Sequence, residues 1–328
     1  MRWFMLMVVM ALVILMMSVL QTPWLTRVLC RRALSAHAGV VVKGLHIGSQ
    51  HFSLPGRVEM KDILLELKVN GKPMVLETPG VLVTGLQSLW GGERRILLAS
   101  EKMHARYDLA DAADAGAQFT LTSEGLSGPV TAAEFVWDKI NAREVSAFVI
   151  IKNSGIEVRA AKMQAYGGRV TGQAVVRTGQ LPAYTGEIFV EGCDMARLSD
   201  INRELADQLN GAVTGSVKLA GDAVAIKAVD ADLMIPAGGK ISASLLGALT
   251  QYLPQSREKK RLDLLIRNGG KLAMELFSFT MKGGPQGKFS GELKLRSREI
   301  NLELNIVHDI NTDGTLASLA AYGQKFLK

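Results

Sequence analysis

The sequence predicts a mainly β protein that follows one N-terminal apolar helix, and three observations predict it. Residues Trp3 to Leu20 carry no charge over eighteen positions, about the length a helix needs to cross the hydrocarbon core. From Gly39 onward, short apolar runs are broken by Gly, Pro and Asn, the pattern of strands and turns. In the last third, apolar and polar residues alternate over four consecutive segments, the period of half-buried strands.

The first element, residues 1–22, is read as an uncleaved membrane anchor closed by Gln21-Thr22-Pro23-Trp24. A cleaved signal peptide is the alternative, since Arg2 supplies a basic start. No small-x-small site follows the run directly, and Ala36-His37-Ala38 lies far downstream. Arg27, Arg31 and Arg32 after the run outnumber Arg2 before it, which by the positive-inside rule alone would leave the long part in the cytoplasm. Residues 23–38 form a linker in which Trp24 to Leu34 make a short interfacial helix, with Trp24, Leu25, Val28 and Leu29 toward lipid and the arginines toward phosphates.

The roughly three hundred residues that remain suffice for one large or two modest domains. A net charge of +7 suits an anionic surface. Nucleic acid is not an expected partner, because Lys and Arg are scattered among acids and no strand interleaves aromatic with basic residues. Cys30 and Cys193 stand too far apart in sequence to suggest a disulfide framework or metal spacing.

Residues 39–107 make a first β region: Val40 to Ile47, Gly56 to Val69, Met74 to Thr78 and Arg95 to Ala99 are its candidate strands, with Asn70-Gly71 a hairpin turn. Val81 to Leu89 reads as a further strand or as a strand entering a helical turn. The Ala- and Asp-rich stretch 108–118 is expected to be a loop. A second β region, 119–328, begins with Phe119 to Ser123, Val130 to Trp137, Ala147 to Lys152 and Ile156 to Gln164. Tyr166-Gly167-Gly168 is a tight turn, and Gly172 sits inside the next strand, where a bulge or a close backbone approach is expected.

Strands follow at Thr185 to Gly192, Val213 to Leu219, Ala223 to Ala228 and Asp230 to Ile235. Two amphipathic helices are expected: Asp194 to Leu209, capped by Asp194, and Ile241 to Leu253, ended by Pro254. After the solvated run Arg257 to Arg261 come Leu262 to Arg267, Lys271 to Met281, Gly287 to Arg296 and Glu299 to His308 as strands, then a short helix from Thr315.

No catalytic constellation emerges, and the chain is read as a non-enzyme without a cofactor. Gly283 to Lys288 resembles a phosphate loop, but that pattern needs glycine at Lys282 and Ser or Thr at Phe289. His37, His46, His51, His104 and His308 are dispersed and lack metal-ligand spacing. Nucleophile-elbow, zinc-helix and dinucleotide motifs are missing. What remains is sheet physics: strands with one apolar face must cover it with a sheet, a helix or an apolar ligand.

Three stretches resemble the AsmA-like bacterial envelope proteins, the group that includes the TamB-type and YdbH-type proteins. They are the anchor leading through Thr22-Pro23-Trp24-Leu25 into Gly39 to Val42 and Gly56 to Ile63; the turn and strand Tyr166, Gly167, Gly168 to Gly172; and Ala196 to Leu209 followed by Asn210 to Gly221. The resemblance implies a single-pass inner-membrane anchor with the C-terminal part in the periplasm. It implies an elongated, curled, groove-like antiparallel sheet with two or three short helices, and a role in phospholipid transfer or outer-membrane integrity. About fifteen strands at roughly 4.8 Å each would make a groove of about 70 Å, too short to act as a full bridge, so an envelope protein partner or self-assembly is expected beside membrane phospholipid.

On that reading Leu272, Met274 and Leu276 with Ile300, Leu302, Leu304 and Ile306 line the groove, although the same residues would also serve as ordinary core. The alternative function is a non-transporting assembly component such as a type II secretion N-like subunit. A continuous apolar trough separates the first reading from the second, which needs a closed core and one exposed patch.

Overall fold

The computed structural model describes residues 23–35, 40–53, 56–69, 71–86, 88, 95–152, 154–177, 183–200, 208–222, 225–236, 238–242, 245–247, 255–283, 288–299 and 302–311 of the 328-residue chain. The protein is mainly β, with few helices among the described residues; fifteen strands belong to a large antiparallel sheet and three to a small one. The anchor expected over residues 1–22 and the helix expected from Thr315 lie outside the described residues. Among the described residues, no helix is long and apolar enough to cross a membrane. Two compact units divide the chain, Met1–Asp138 with Arg143–Lys152, and Lys139–Ala142 with Asn153–Lys328.

In the first unit a helix, Pro23–Ser35, packs against strand β1 (Val40–Ser53), where the Arg27 guanidinium donates to the Ile47 carbonyl at 2.5 Å. The strands β2 (Arg57–Val69), β3 (Lys72–Thr84), β4 (Ile96–Tyr107), β5 (Ala110–Thr122) and β6 (Gly125–Trp137) then pair in sequence order. Most of β7 (Ile140–Lys152) also belongs here. Gly71 takes the left-handed conformation expected of the Asn70-Gly71 turn, and Asp108 and Asp138 take it in the next hairpins.

Two expectations need correction in this unit. Residues 108–118 are not a loop: most of them form β5, and the boundary between units falls around β7 instead. Alanine and aspartate have low strand propensity, but Ala110, Ala112 and Ala117 stand opposite Tyr107, Ala105 and Ser100, and Asp111 is held from β4 by His104 at 2.6 Å and Arg106 at 3.1 Å. Met74 to Thr78 and Val81 to Thr84 are one strand that continues through Pro79. Proline is tolerated there because position 79 falls in a gap of the pairing with both neighbours.

The second unit orders β8 (Gly155–Ala165), β9 (Gly168–Arg177), β10 (Ala183–Asp194), β12 (Ala212–Asp222), β13 (Ile226–Ile235), β16 (Leu276–Gly283), β17 (Lys288–Ser297) and β18 (Leu302–Asn311). A small sheet of β11 (Leu209–Asn210), β14 (Lys240–Ser242) and β15 (Lys271–Ala273) accompanies them. Of the helix expected over Asp194 to Leu209, Met195–Asp200 is a 3₁₀ turn, Gln208 is helical and Leu209 already belongs to a strand; residues 201–207 lie outside the described residues. Asp194 does accept from the Ala196 amide at 3.0 Å, as a capping residue should.

Ile241 lies in β14 rather than starting a helix, and of the expected Ile241 to Leu253 helix Leu245 to Gly247 are helical, while 243–244 and 248–253 lie outside the described residues. Leu262 to Arg267, expected as a strand, belongs to the helix Arg257–Arg267. Ser256 caps its start by accepting from the Lys259 amide, the first turns are strong helix formers, and Gly269 leaves its end at positive φ. Lys271 to Met281 is two strands, because the chain changes sheets at Met274 and Glu275: the Met274 amide donates to Gly239 at 2.8 Å, and the Glu275 amide to Arg296 at 2.9 Å.

The main core lies in this unit. Leu262 of the helix and Ile241 and Leu272 of the small sheet pack with Ile235, Leu295 and Leu304 of the large sheet, flanked by Leu265, Ile266 and Phe277. The helix and small sheet thus cover one end of the large sheet's apolar face in this unit.

Candidate functional site

Residues directly opposite one another on antiparallel strands project to the same face, so strand register identifies the faces. In the first unit Leu45, Leu65, Leu76, Ala105, Ala112 and Phe135 form one row across β1 to β6. Phe52, Val58, Val83, Leu98 and Phe119 form another. The opposite face carries rows such as His46, Leu64, Glu77 and His104, and Glu66, Val75, Arg106 and Asp111. One face is therefore apolar and the other largely polar. The named members of both apolar rows are half-buried, and between them on the same face the row Ile47, Ile63 and Thr78 is buried, with the helix Pro23–Ser35 packed on β1 at its end.

The apolar rows are kept on one face by an unusual device. Strict alternation would put Thr78 and Val81 on opposite faces, yet Ser100 is the register partner of Val81 and its hydroxyl meets that of Thr78 at 2.8 Å. The same three-residue step occurs from Met60 to Ile63, from Ser100 to Met103 and from Ala112 to Ala115. The extra residue is left-handed in three of these strands: Asp62, Lys102 and Asp114 have φ of 53°, 57° and 46°. Between β2 and β3, and between β3 and β4, both strands carry the step, so the register is recovered beyond it. The Gly80 carbonyl at this crease accepts from Ser100 at 2.8 Å and Thr78 at 3.1 Å, which satisfies two hydroxyls on an otherwise apolar face.

In the second unit the rows continue by themselves. Val158, Ala174, Gly186, Leu219, Val229 and Gly283 share one row, and Met163, Val170, Val190, Gly215, Leu233 and Phe279 another. Near β8 to β10 this face is open, with Ile156, Val176 and Ile188 all exposed. Toward β13 and β17 it is closed, with Val229, Ala231 and Phe289 buried together.

The seven residues proposed from sequence as groove lining are not brought together as an open surface. Leu272, Met274 and Leu304 are 0%, 3% and 4% exposed inside the covered core, and Ile306 packs against it. Leu276 stands opposite Arg296, on the polar side of the sheet. Leu302 occupies β18 opposite Ser297, and Ile300 lies outside the described residues. The half-buried rows of the first unit were missed in the sequence, where a three-residue step, at Met60–Ile63, Thr78–Val81, Ser100–Met103 and Ala112–Ala115, interrupts strict alternation.

The turn before β9 uses Tyr166 and Gly167 as its left-handed pair, at φ 51° and 78°, between the partners Ala165 and Gly168. Gly168 abuts the backbone of Glu191 to Cys193, where a side chain would not fit. Gly172 faces the register slip of β8 between Val158 and Ala161, and a Cβ there would stand 2.6 Å from the Glu187 carbonyl. The close approach at Gly172 matches the sequence expectation; the one at Gly168 was not foreseen from sequence. Cys193 is a buried free thiol donating to the Ala165 carbonyl at 3.3 Å, and burial pushes its pKa up.

Among the hollows on the polar faces are two of about 660 and 530 Å³. The larger, in the second unit, has Glu157, Thr185, Glu187, Lys218 and Asp230 on its walls; the smaller, in the first, has His46, Glu77, Lys102 and His104. In the larger one the Lys218 ammonium, 2.9 Å away, and then Gln173 hold the Glu187 carboxyl below its usual range. No group of three or more metal-ligating side chains converges among the described residues. No protein-family model, curated protein or solved structure matches the chain.

Proposed function

We propose that the protein is an AsmA-like, non-enzymatic component of the bacterial envelope, anchored in the inner membrane by residues 1–22, whose periplasmic apolar sheet face shelters phospholipid acyl chains. The observation that carries this reading is the set of continuous, half-buried apolar rows in the first unit. Six neighbouring strands make the longer row roughly 24 Å long, whereas the acyl chains of one leaflet occupy about 15 Å. One row is therefore long enough to cover a whole chain. Each methylene sheltered is worth about 0.8 kcal/mol, so covering most of a chain offsets much of what leaving the bilayer costs. A curled, groove-like sheet would cover both chains of a phospholipid while leaving the headgroup in water, in support of outer-membrane biogenesis or integrity.

A non-transporting assembly component, of the type II secretion N-like kind, is the second reading. The covered core around Leu272 and Leu304 favours it, because a closed interior is what a protein-binding module requires. Photocrosslinking of the full chain in cells separates the two. A benzophenone side chain at Leu76 or Leu98 is expected to capture phospholipid, identified by mass spectrometry, while one at Glu77 or Ala99, on the other face, is not. Protein adducts in place of lipid at Leu76 and Leu98 would establish the second reading, and equal lipid capture on both faces would sink the first.

A further inference from the structure

Two stretches of this chain are strongly basic, the N-terminal part, with six basic and no acidic residues over 1–57, and one segment of the second unit. Residues 257–271 contain six basic residues (Arg257, Lys259, Lys260, Arg261, Arg267, Lys271) and two acidic ones (Glu258, Asp263), so this stretch contributes +4 of the chain's +7. The helix Arg257–Arg267 cannot turn these charges inward, because Leu262 is fully buried and Leu265 and Ile266 pack on the core. Its outer arc is then Arg257, Lys260, Arg261, Leu264 and Arg267, spaced at three- and four-residue intervals, and all five are exposed. Leu264, at the centre of that arc, is 59% exposed. The small sheet, which covers the same core, also turns basic residues outward: Ile241 and Leu272 are buried in the core, so Lys240 and Lys271, one position along, point out and are exposed, with Glu299 the acidic neighbour at Ala273.

We propose that this outer face docks on an anionic lipid bilayer. A single leucine ringed by long basic side chains offers too little apolar area for a protein interface core. It does suit the interfacial zone of a membrane, where the leucine enters the acyl boundary and the Lys and Arg stems reach to phosphates. The second unit thereby gains a membrane contact of its own, whether or not the apolar rows of the first unit carry lipid.

The test uses the full chain in detergent with Cys30→Ser and Leu264→Cys, an environment-sensitive dye on residue 264, and Cys193 left buried. Vesicles of phosphatidylcholine mixed equally with phosphatidylglycerol are expected to shift the dye emission to the blue, and vesicles of phosphatidylcholine alone are not. Raising salt from 0.1 M to 1 M, which shortens the screening length from about 10 Å to about 3 Å, should reverse the shift. K260E/R261E in the dye-labelled chain should weaken docking of this face, read as the blue shift on anionic vesicles and not as retention of the anchored chain, at least about 25-fold, at about fivefold for each basic residue lost from an anionic surface. R267Q/K271Q should weaken it by a comparable factor, so the result does not rest on one variant's folding; matching circular dichroism and melting temperatures qualify either variant. The same dye on Glu134→Cys, exposed on the first unit, should not respond. An equal response to neutral vesicles, or no loss in folded variants, overturns the proposal. A response to a polyglutamate peptide but not to anionic vesicles overturns it in favour of an acidic protein partner.

Discussion

Ala160 sits in the interior of β8 at φ 48°, a conformation that costs an L-residue with no local side-chain hydrogen bond about 1–2 kcal/mol. Part of that gain is lost if glycine replaces it, through the greater freedom of the unfolded chain. Ala160→Gly is therefore expected to stabilise the protein by roughly 0.5–1 kcal/mol, read as a rise in the urea midpoint. Gly172→Ala, across the same bulge, should do the reverse and cost about 1–3 kcal/mol, because its Cβ would press on the Glu187 carbonyl. Glu187 itself titrates predictably. Its folded pKa is depressed by Lys218 and Gln173, so the stability it lends is present above the ordinary carboxylate range and fades as pH falls through the lowered value. In Lys218→Gln the carboxyl should titrate closer to its usual range, and this acid-side loss should shrink. Carbon-detected NMR titration would show the shift, and no change would disprove the pairing.

Among the elements, the helix Arg257–Arg267 was legible in part. Its basic start was visible, but Leu262 to Arg267 read as a strand, since a short apolar run carries no period long enough to choose between helix and strand. Ser256 and Gly269, the capping residues, decide the matter. Burial then separates two neighbouring leucines: Leu262→Ala should cost about 2–5 kcal/mol by opening a cavity, whereas Leu264→Ala should stay within about 0.5 kcal/mol. Thermal melting of the two variants side by side checks this, and comparable losses would mean the helix face is wrongly assigned. β5 shows the opposite kind of misreading. Its alanines and aspartates suggested a loop, yet the row of small side chains fits the sheet because Tyr107, Phe135 and Trp137 supply bulk at partner positions.

For the molecule as a whole, each unit buries its apolar face differently, and stability should follow. Amide hydrogen exchange is expected to be slowest in β13, β17 and β18, beneath the covered core, and faster in β4 to β6, whose apolar rows are half-buried. Uniform protection would indicate that those rows are covered. The sequence by itself determined the mainly β class, the turns at Asn70-Gly71 and Tyr166-Gly167, and the close approach at Gly172, because glycine and alternation act over a few residues. Only the tertiary structure decided which apolar residues became covered core and which stayed half-buried. Leu272, Met274 and Leu304 alternate or step as Leu65 and Leu76 do, and nothing local tells them apart. They differ because the helix and the small sheet come back over the first group, while the crease at Asp62, Lys102 and Asp114 holds the second group in half-buried rows. Both outcomes depend on residues far apart in the chain, beyond the reach of local periodicity.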